Sequence, residues 1–138
     1  MQYDAFIVAG GRAPWLKDIA GTDIRCLAPL HKQRMLDYVL KAMLASKRFK
    51  QIVIAIEEDA IPLIADTLPE NVSLCAAGRD LPSTCIKAAS FLTADDNVKI
   101  LGVCDDIPLL TPQAINDFLN QCEKYPDCEL YYPIIPKE

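Results

Sequence analysis

The chain has 138 residues, 51% of them apolar, so it can build one modest domain with a real core and is not a disordered segment. Its net charge of −5 argues against a broad nucleic-acid-binding face, because phosphate backbones are held by clustered Lys and Arg. No apolar run approaches the roughly 20 residues that span a bilayer. The start, Met1-Gln2-Tyr3-Asp4, lacks the basic flank and apolar stretch of a signal peptide, so the expected compartment is the cytoplasm. The six cysteines form no C-x-x-C pair and there is a single histidine, which argues against structural zinc and for reduced, mostly buried thiols.

In chain order, Ala5 to Ala9 is an unbroken apolar run that suits a strand covered on both faces, and it leads directly into Gly10-Gly11-Arg12. A glycine pair lets the backbone turn sharply and approach a ligand, and successive N–H groups in such a turn make an anion-binding hollow. Arg12 to Lys32 lacks periodicity and reads as a long irregular loop, a candidate cover for a ligand. Within it Trp15 either caps that ligand or pins the loop to the core, with pinning favoured.

Gln33 to Ser46 reads as a helix with Met35, Leu36, Val39, Leu40, Met43 and Leu44 on one face, and with Asp37 and Lys41 placed to pair. Gln51 to Ile56 is a second buried strand. Asp59 to Leu68 reads as a short helix capped by Asp59, with Pro62 in its first turn. Val72 to Ala76 is a third strand, followed by the loop Ala77-Gly78-Arg79-Asp80. Ser83 to Leu92 is the next helix, with Ile86, Ala89 and Phe91 or Leu92 inward. Val98 to Cys104 is a fourth strand, ending in Asp105-Asp106. Thr111 and Pro112 then supply an N-cap and a first-turn proline for a helix carrying Ile115, Phe118, Leu119 and Cys122, and Glu129 to Ile135 reads as a fifth strand.

Strands alternating with helices imply an α/β fold: a mainly parallel sheet, right-handed crossovers and helices on both faces. Such sheets bind ligands beyond the carboxyl ends of their strands. Gly10-Gly11-Arg12, Gly78-Arg79-Asp80 and Asp105-Asp106 all fall at that edge. Side chains alternate along a strand, so only one of the two aspartates is expected to face a ligand. Glycine amides, arginine and a carboxylate that can hold Mg²⁺ together suit a nucleoside triphosphate. The Gly-x-Gly-x-x-Gly and Gly-x-x-x-x-Gly-Lys-Ser/Thr fingerprints are absent. His31 lies in a basic, polar stretch and reads as a surface residue, and no cysteine has an activating neighbourhood in sequence.

Three motifs now converge on a resemblance. Ala9-Gly10-Gly11, Arg25-Cys26-Leu27-Ala28-Pro29-Leu30 and Met35-Leu36-Asp37-Tyr38-Val39-Leu40 resemble the N-terminal signature of sugar-phosphate and cofactor nucleotidyltransferases, the proteins similar to the molybdenum cofactor guanylyltransferase. Asp106-Ile107-Pro108-Leu109-Leu110-Thr111-Pro112 is similar to that family's Asp-x-Pro-Leu-Leu-Thr-Pro. The resemblance implies a three-layer, Rossmann-like GT-A type fold and an Mg²⁺-dependent enzyme. Such an enzyme moves a nucleoside monophosphate from an NTP to a phosphorylated small-molecule acceptor and releases pyrophosphate.

By the same resemblance, Ala9, Gly10, Gly11, Gly78 and Ser83 would contact the nucleotide and Asp106 would hold the metal. Arg12, Lys17 and Arg25 would steady the triphosphate. The chain also departs from the pattern. Aligned without a gap, the second signature glycine falls on Ala13, the signature arginine on Trp15, and Pro-Lys on Ile24-Arg25. A degenerate nucleotide-binding module without turnover is therefore the alternative. Family members run well past this length, so residues 1–138 are expected to be the N-terminal, nucleotide-binding part of one domain, with an open sheet edge that invites homo-oligomer pairing.

Overall fold

The structure, a computed structural model, describes residues 2–92 and 95–137. In chain order its regular elements are β1 (Tyr3–Ala9), α1 (Lys17–Ala20), β2 (Pro29–Leu30), β3 (Gln33–Arg34), α2 (Met35–Ser46), β4 (Phe49–Ile56), α3 (Ile61–Ile64), β5 (Val72–Ala76), α4 (Leu81–Ser90), β6 (Ile100–Cys104) and α5 (Pro112–Cys122). The main sheet has four strands in the order β5-β4-β1-β6, every pair parallel. In the centre Ile7 stands opposite Ile54 on one side and Val103 on the other. Parallel pairing puts the carboxyl ends of all four strands, Ala9, Ile56, Ala76 and Cys104, on one edge.

The apolar runs of the sequence divide between the two faces of this sheet. Ala5, Ile7, Ala9, Ile52, Ile54 and Ile56 point to one side, where Leu36, Val39 and Met43 of α2 and Ile115 and Leu119 of α5 pack on them. Val53, Ala55 and Cys75 point to the other, under Ala88 of α4 and Leu92. Helices thus cover both faces, and the three-layer α/β expectation holds. No helix among the described residues is long and apolar enough to cross a membrane.

Several expectations are corrected. Residues 129–137 form no strand, and Leu130, Tyr132, Ile134 and Ile135 are all more than 80% exposed. An apolar pattern makes a strand only when a neighbouring backbone takes its N–H and C=O groups. The expected helix from Asp59 breaks into a 3₁₀ turn, the single turn of α3 and a second 3₁₀ turn. Asp59 does not cap it, because Arg12 holds its carboxylate at 2.5 Å. α4 starts two residues earlier than expected, where Asp80 accepts the Ser83 N–H and Pro82 sits in the first turn. Its inward stripe is therefore Thr84 and Ala88, and Ile86 and Phe91 are exposed.

Asp37 pairs with Arg34, both oxygens at 2.9 Å, and so closes the first turn of α2 instead of pairing with Lys41. Trp15 is 68% exposed and pins nothing. Of the six cysteines, all free, only Cys26 and Cys75 are buried, whereas Cys104 and Cys128 are exposed.

Candidate active site

The stretch from Arg12 to Lys32 is an ordered excursion. Its base is tied by an antiparallel bridge between Arg12 and Ile24, with the Ala13 N–H on Asp23 O at 2.7 Å and the Arg25 N–H on Gly11 O at 3.3 Å. The chain leaves the β1 edge at Gly11, makes α1, and returns to the same edge at Arg25. The β2–β3 hairpin then leads into α2, with His31 exposed in its turn at φ +57°. This return explains how a residue fourteen positions downstream comes to lie against the glycine pair.

A cavity of about 370 Å³ opens at the carboxyl edge, within the size range of small-molecule sites. Every strand of the main sheet contributes to it: Gly10 and Gly11 after β1, Glu57 after β4, Ala77 to Leu81 after β5, and Cys104 at the end of β6 with Asp105 and Asp106 after it. Arg25 and Thr84 complete the wall. Gly11 has φ +134°, a conformation that a side chain would strain, so the turn requires glycine there. A Cβ on Gly10 would stand 2.6 Å from Ala77 Cβ, so this glycine lets the β1 and β5 loops meet.

Two cations line the cavity: Arg79, whose side chain is 91% exposed, and Arg25, which is tied into the wall. Arg25 Nη2 donates to Asp105 Oδ1 at 3.2 Å and, more weakly, to Gly10 O at 3.4 Å. Asp105 is 1% exposed and its Oδ2 has no hydrogen-bond partner among the described residues; Arg25 Nε is likewise buried without one. Burial pushes the Asp105 carboxyl above the usual carboxylate range, and the facing Arg25 charge opposes that shift. Asp106 is exposed. The expectation that only one aspartate faces the ligand is thus replaced by two roles, with Asp105 bound to Arg25 in the wall and Asp106 open at the rim.

The other expected site residues fall as follows. Gly78 lines the cavity, and its N–H is held by Thr84 Oγ1 at 2.9 Å. Ser83 is outside the cavity wall and spends its hydroxyl in the capping box with Asp80. Ala9 is fully buried in the core beneath the site, so only its backbone neighbourhood reaches the glycine turn. Arg12 is turned away from the cavity and ringed by carboxylates: Asp23 at 3.0 Å, Asp59 at 2.5 Å and Glu57 at 3.7 Å. The hydrogen bonds that Arg12 donates to Asp59 and then to Asp23 raise its pKa further. Lys17 lies exposed on α1, also outside the wall. Of the three basic residues expected at a triphosphate, the fold brings only Arg25 to the cavity.

Glu57, Thr84 and the pairing role of Asp105 escape a motif search. Each stands at or just beyond the carboxyl end of a strand, or one turn into the helix that follows. Reading the first residue after every strand would have found Glu57. A metal would fit the rim, since Asp106 offers hard carboxylate oxygen and Asp105 Oδ2 is a buried acceptor beside it. The described residues hold no group of three or more His, Cys, Asp or Glu set to bind a metal ion. A cation there would take its remaining ligands from phosphate and water. Burial and the two neighbouring aspartates push the Cys104 thiol up, which leaves it a poor nucleophile.

Comparison with known proteins supports the fold. The structure is similar to 4-diphosphocytidyl-2C-methyl-D-erythritol synthase from Anaerococcus prevotii DSM 20548, with a TM-score of 0.72 at 15% identity over 89% of this chain and 52% of that one. It is similar to a CMP:2-keto-3-deoxy-manno-octonic acid synthetase complexed with CTP, with a TM-score of 0.71 at 12% identity over 92% of this chain and 49% of that one. A third likeness is to Rv0371c of Mycobacterium tuberculosis H37Rv in complex with manganese, with a TM-score of 0.67 at 14% identity over 90% of this chain and 61% of that one. The chain thus spans 49–61% of the length of these structures. No curated protein sequence matches it. Residues 5–137, nearly the whole chain, match the model of the MobA-like NTP transferase domain, and the chain belongs to that family of nucleotidyltransferases.

Proposed function

We propose that the cavity at the carboxyl edge binds a nucleoside triphosphate with a divalent cation, Mg²⁺ in the cell, and supports transfer of the nucleoside monophosphate to a phosphorylated small-molecule acceptor. One observation carries this: Gly10, Gly11, Arg25, Gly78 and Asp106, from four separate stretches of sequence, line a single cavity. Residues 1–138 are read as the nucleotide-binding part of one such domain, working in the cytoplasm.

In that role the glycine turn lets phosphate approach the backbone closely, and Arg25 supplies fixed positive charge at the same wall. Transfer of a nucleotidyl group asks the protein for positioning and for charge stabilisation where negative charge develops on the leaving pyrophosphate. Arg25, whose Nη2 donates to Asp105 and more weakly to Gly10 O, is kept at this wall for that task. Asp106 would hold the cation, which when bound neutralises phosphate charge. Thr84 and the amides of the β5–α4 loop form the opposite wall, where a base would lie.

A second reading, binding without turnover, is favoured by Arg12, which the carboxylates around it keep away from the cavity. Titration with the four NTPs and Mg²⁺, followed by a pyrophosphate-release assay with phosphorylated acceptors, separates the two. Binding with release supports the enzyme, binding without release with any acceptor supports the module, and no binding removes both.

A further inference from the structure

The glycine turn is not free to receive phosphate. The Gly11 N–H, an amide of the loop that lines the cavity, donates to Glu57 Oε1 at 2.9 Å. Glu57 is the first residue after β4, lines the cavity, and brings its carboxylate from the strand next to β1. Its other oxygen, Oε2, faces Arg12 Nε at 3.7 Å. Arg12 is shared with Asp23 and Asp59, so one guanidinium answers three carboxylates and leaves two negative charges unbalanced beside the loop. A side chain with the charge of a phosphate oxygen therefore sits where a phosphate oxygen would go.

We propose that Glu57 is a specificity-determining residue of this cavity: its carboxylate occupies the anion seat at Gly11, and a di- or triphosphate must displace it to bind. The proposal rests on the nucleotide reading above and goes further by naming what the ligand competes with. A carboxylate in that position is a weak competitor for a metal-neutralised phosphate and a strong deterrent to a bare polyanion, because like charges brought close in a partly enclosed site cost free energy. Glu57 thus selects for the metal-complexed form of the ligand. When displaced, it has a partner at hand, because the Arg12 guanidinium already faces Oε2. The loop is in effect closed by an internal stand-in for its ligand, and the stand-in and the ligand cannot both hold the Gly11 amide.

The test uses the full chain and inorganic pyrophosphate, with and without Mg²⁺, alongside the four NTPs. Binding is measured by calorimetry for the wild type, Glu57→Gln and Glu57→Ala, after melting curves establish which variants fold. Glu57→Gln keeps an oxygen for Gly11 and loses only the charge, so it stands in if Glu57→Ala does not fold. The expected result is tighter binding of pyrophosphate in both variants, by about tenfold in Glu57→Ala, with the larger gain in the absence of Mg²⁺. The Gly11 amide should also exchange its hydrogen faster in Glu57→Ala than in the wild type. Unchanged or weaker binding in the variants, with the wild type binding normally, overturns the proposal and leaves the nucleotide reading standing. A silent wild type with a binding variant supports it. If neither wild type nor variants bind pyrophosphate or any NTP, the nucleotide reading falls and this inference falls with it.

Discussion

Arg25 Nη2 lies 3.2 Å from Asp105 Oδ1, and this pair joins the long excursion after β1 to the end of β6. The two residues are eighty positions apart in sequence and face the same cavity. Asp105 is buried while the Arg25 side chain is 42% exposed, so the arginine is the partner with room to turn toward a ligand. The pair sets one wall of the cavity and fixes where Arg25 brings its positive charge.

The energetics of that pair are testable through pH. Burial raises the Asp105 pKa above its unfolded value of about 3.9. The folded state therefore holds the proton more tightly, and the stability this group contributes is full below about pH 3.9 and lost as pH rises through the folded pKa. At neutral pH the protein carries a buried charge that Arg25 offsets only in part. Asp105→Asn is expected to melt higher than wild type at pH 7, with the difference shrinking toward pH 4. A lower melting temperature at pH 7 would mean that the ion pair is net stabilising.

Arg25 and Lys17 should separate cleanly. In an Asp105→Asn background, which leaves no buried carboxylate unpaired, Arg25→Met should weaken pyrophosphate binding by at least about tenfold, the size of a lost charged hydrogen bond. Lys17→Met, on a helix outside the cavity, should leave the affinity within about twofold of wild type. Calorimetry on both variants decides whether the fold, rather than charge in general, selects the phosphate-binding cation.

Gly10→Ala places a methyl 2.6 Å from Ala77 Cβ. The β1 and β5 loops must then part, at a cost of about 1–3 kcal/mol. Denaturant unfolding should show that loss, and nucleotide affinity should fall in step because both walls of the cavity move. A variant with wild-type stability and affinity would contradict the close approach of the two loops.

Thr111 Oγ1 accepts the Ala114 N–H at 3.1 Å and caps α5. Thr111→Ala should cost about 1 kcal/mol, a drop of roughly 4 °C in melting temperature, with no change in nucleotide affinity. The same segment carries Asp106, so a change in affinity would show that the cap also positions the rim aspartate.

The sheet, its strand ends and the helix caps at Thr111 and Pro112 were legible because each depends on local pattern. An unbroken apolar run marked Ala5 to Ala9 as a buried strand, and a run rich in β-branched residues marked Gln51 to Ile56 as a second one. Residues 129–135 carry an equally persuasive pattern yet take no strand, because pairing is a property of two segments and only one is visible in a local reading. The site was legible as three loops at one edge. Which basic residue would reach it was not. Arg12 adjoins the glycines in sequence but is drawn off by Asp23 and Asp59, and Arg25 reaches them only because the Arg12–Ile24 bridge closes the excursion. Glu57 lay unread in a strand-to-loop junction with no motif of its own.

The most direct test is the metal dependence of nucleotide binding at Asp106. Each NTP is titrated into wild type and Asp106→Ala by calorimetry, with Mg²⁺ or Mn²⁺ and with chelator. A cavity built for a metal–nucleotide complex predicts that the wild type binds at least one NTP and binds it at least about tenfold more tightly with the cation, and that Asp106→Ala loses this enhancement. No NTP binding by the wild type, or a cation enhancement that survives in Asp106→Ala, would contradict it.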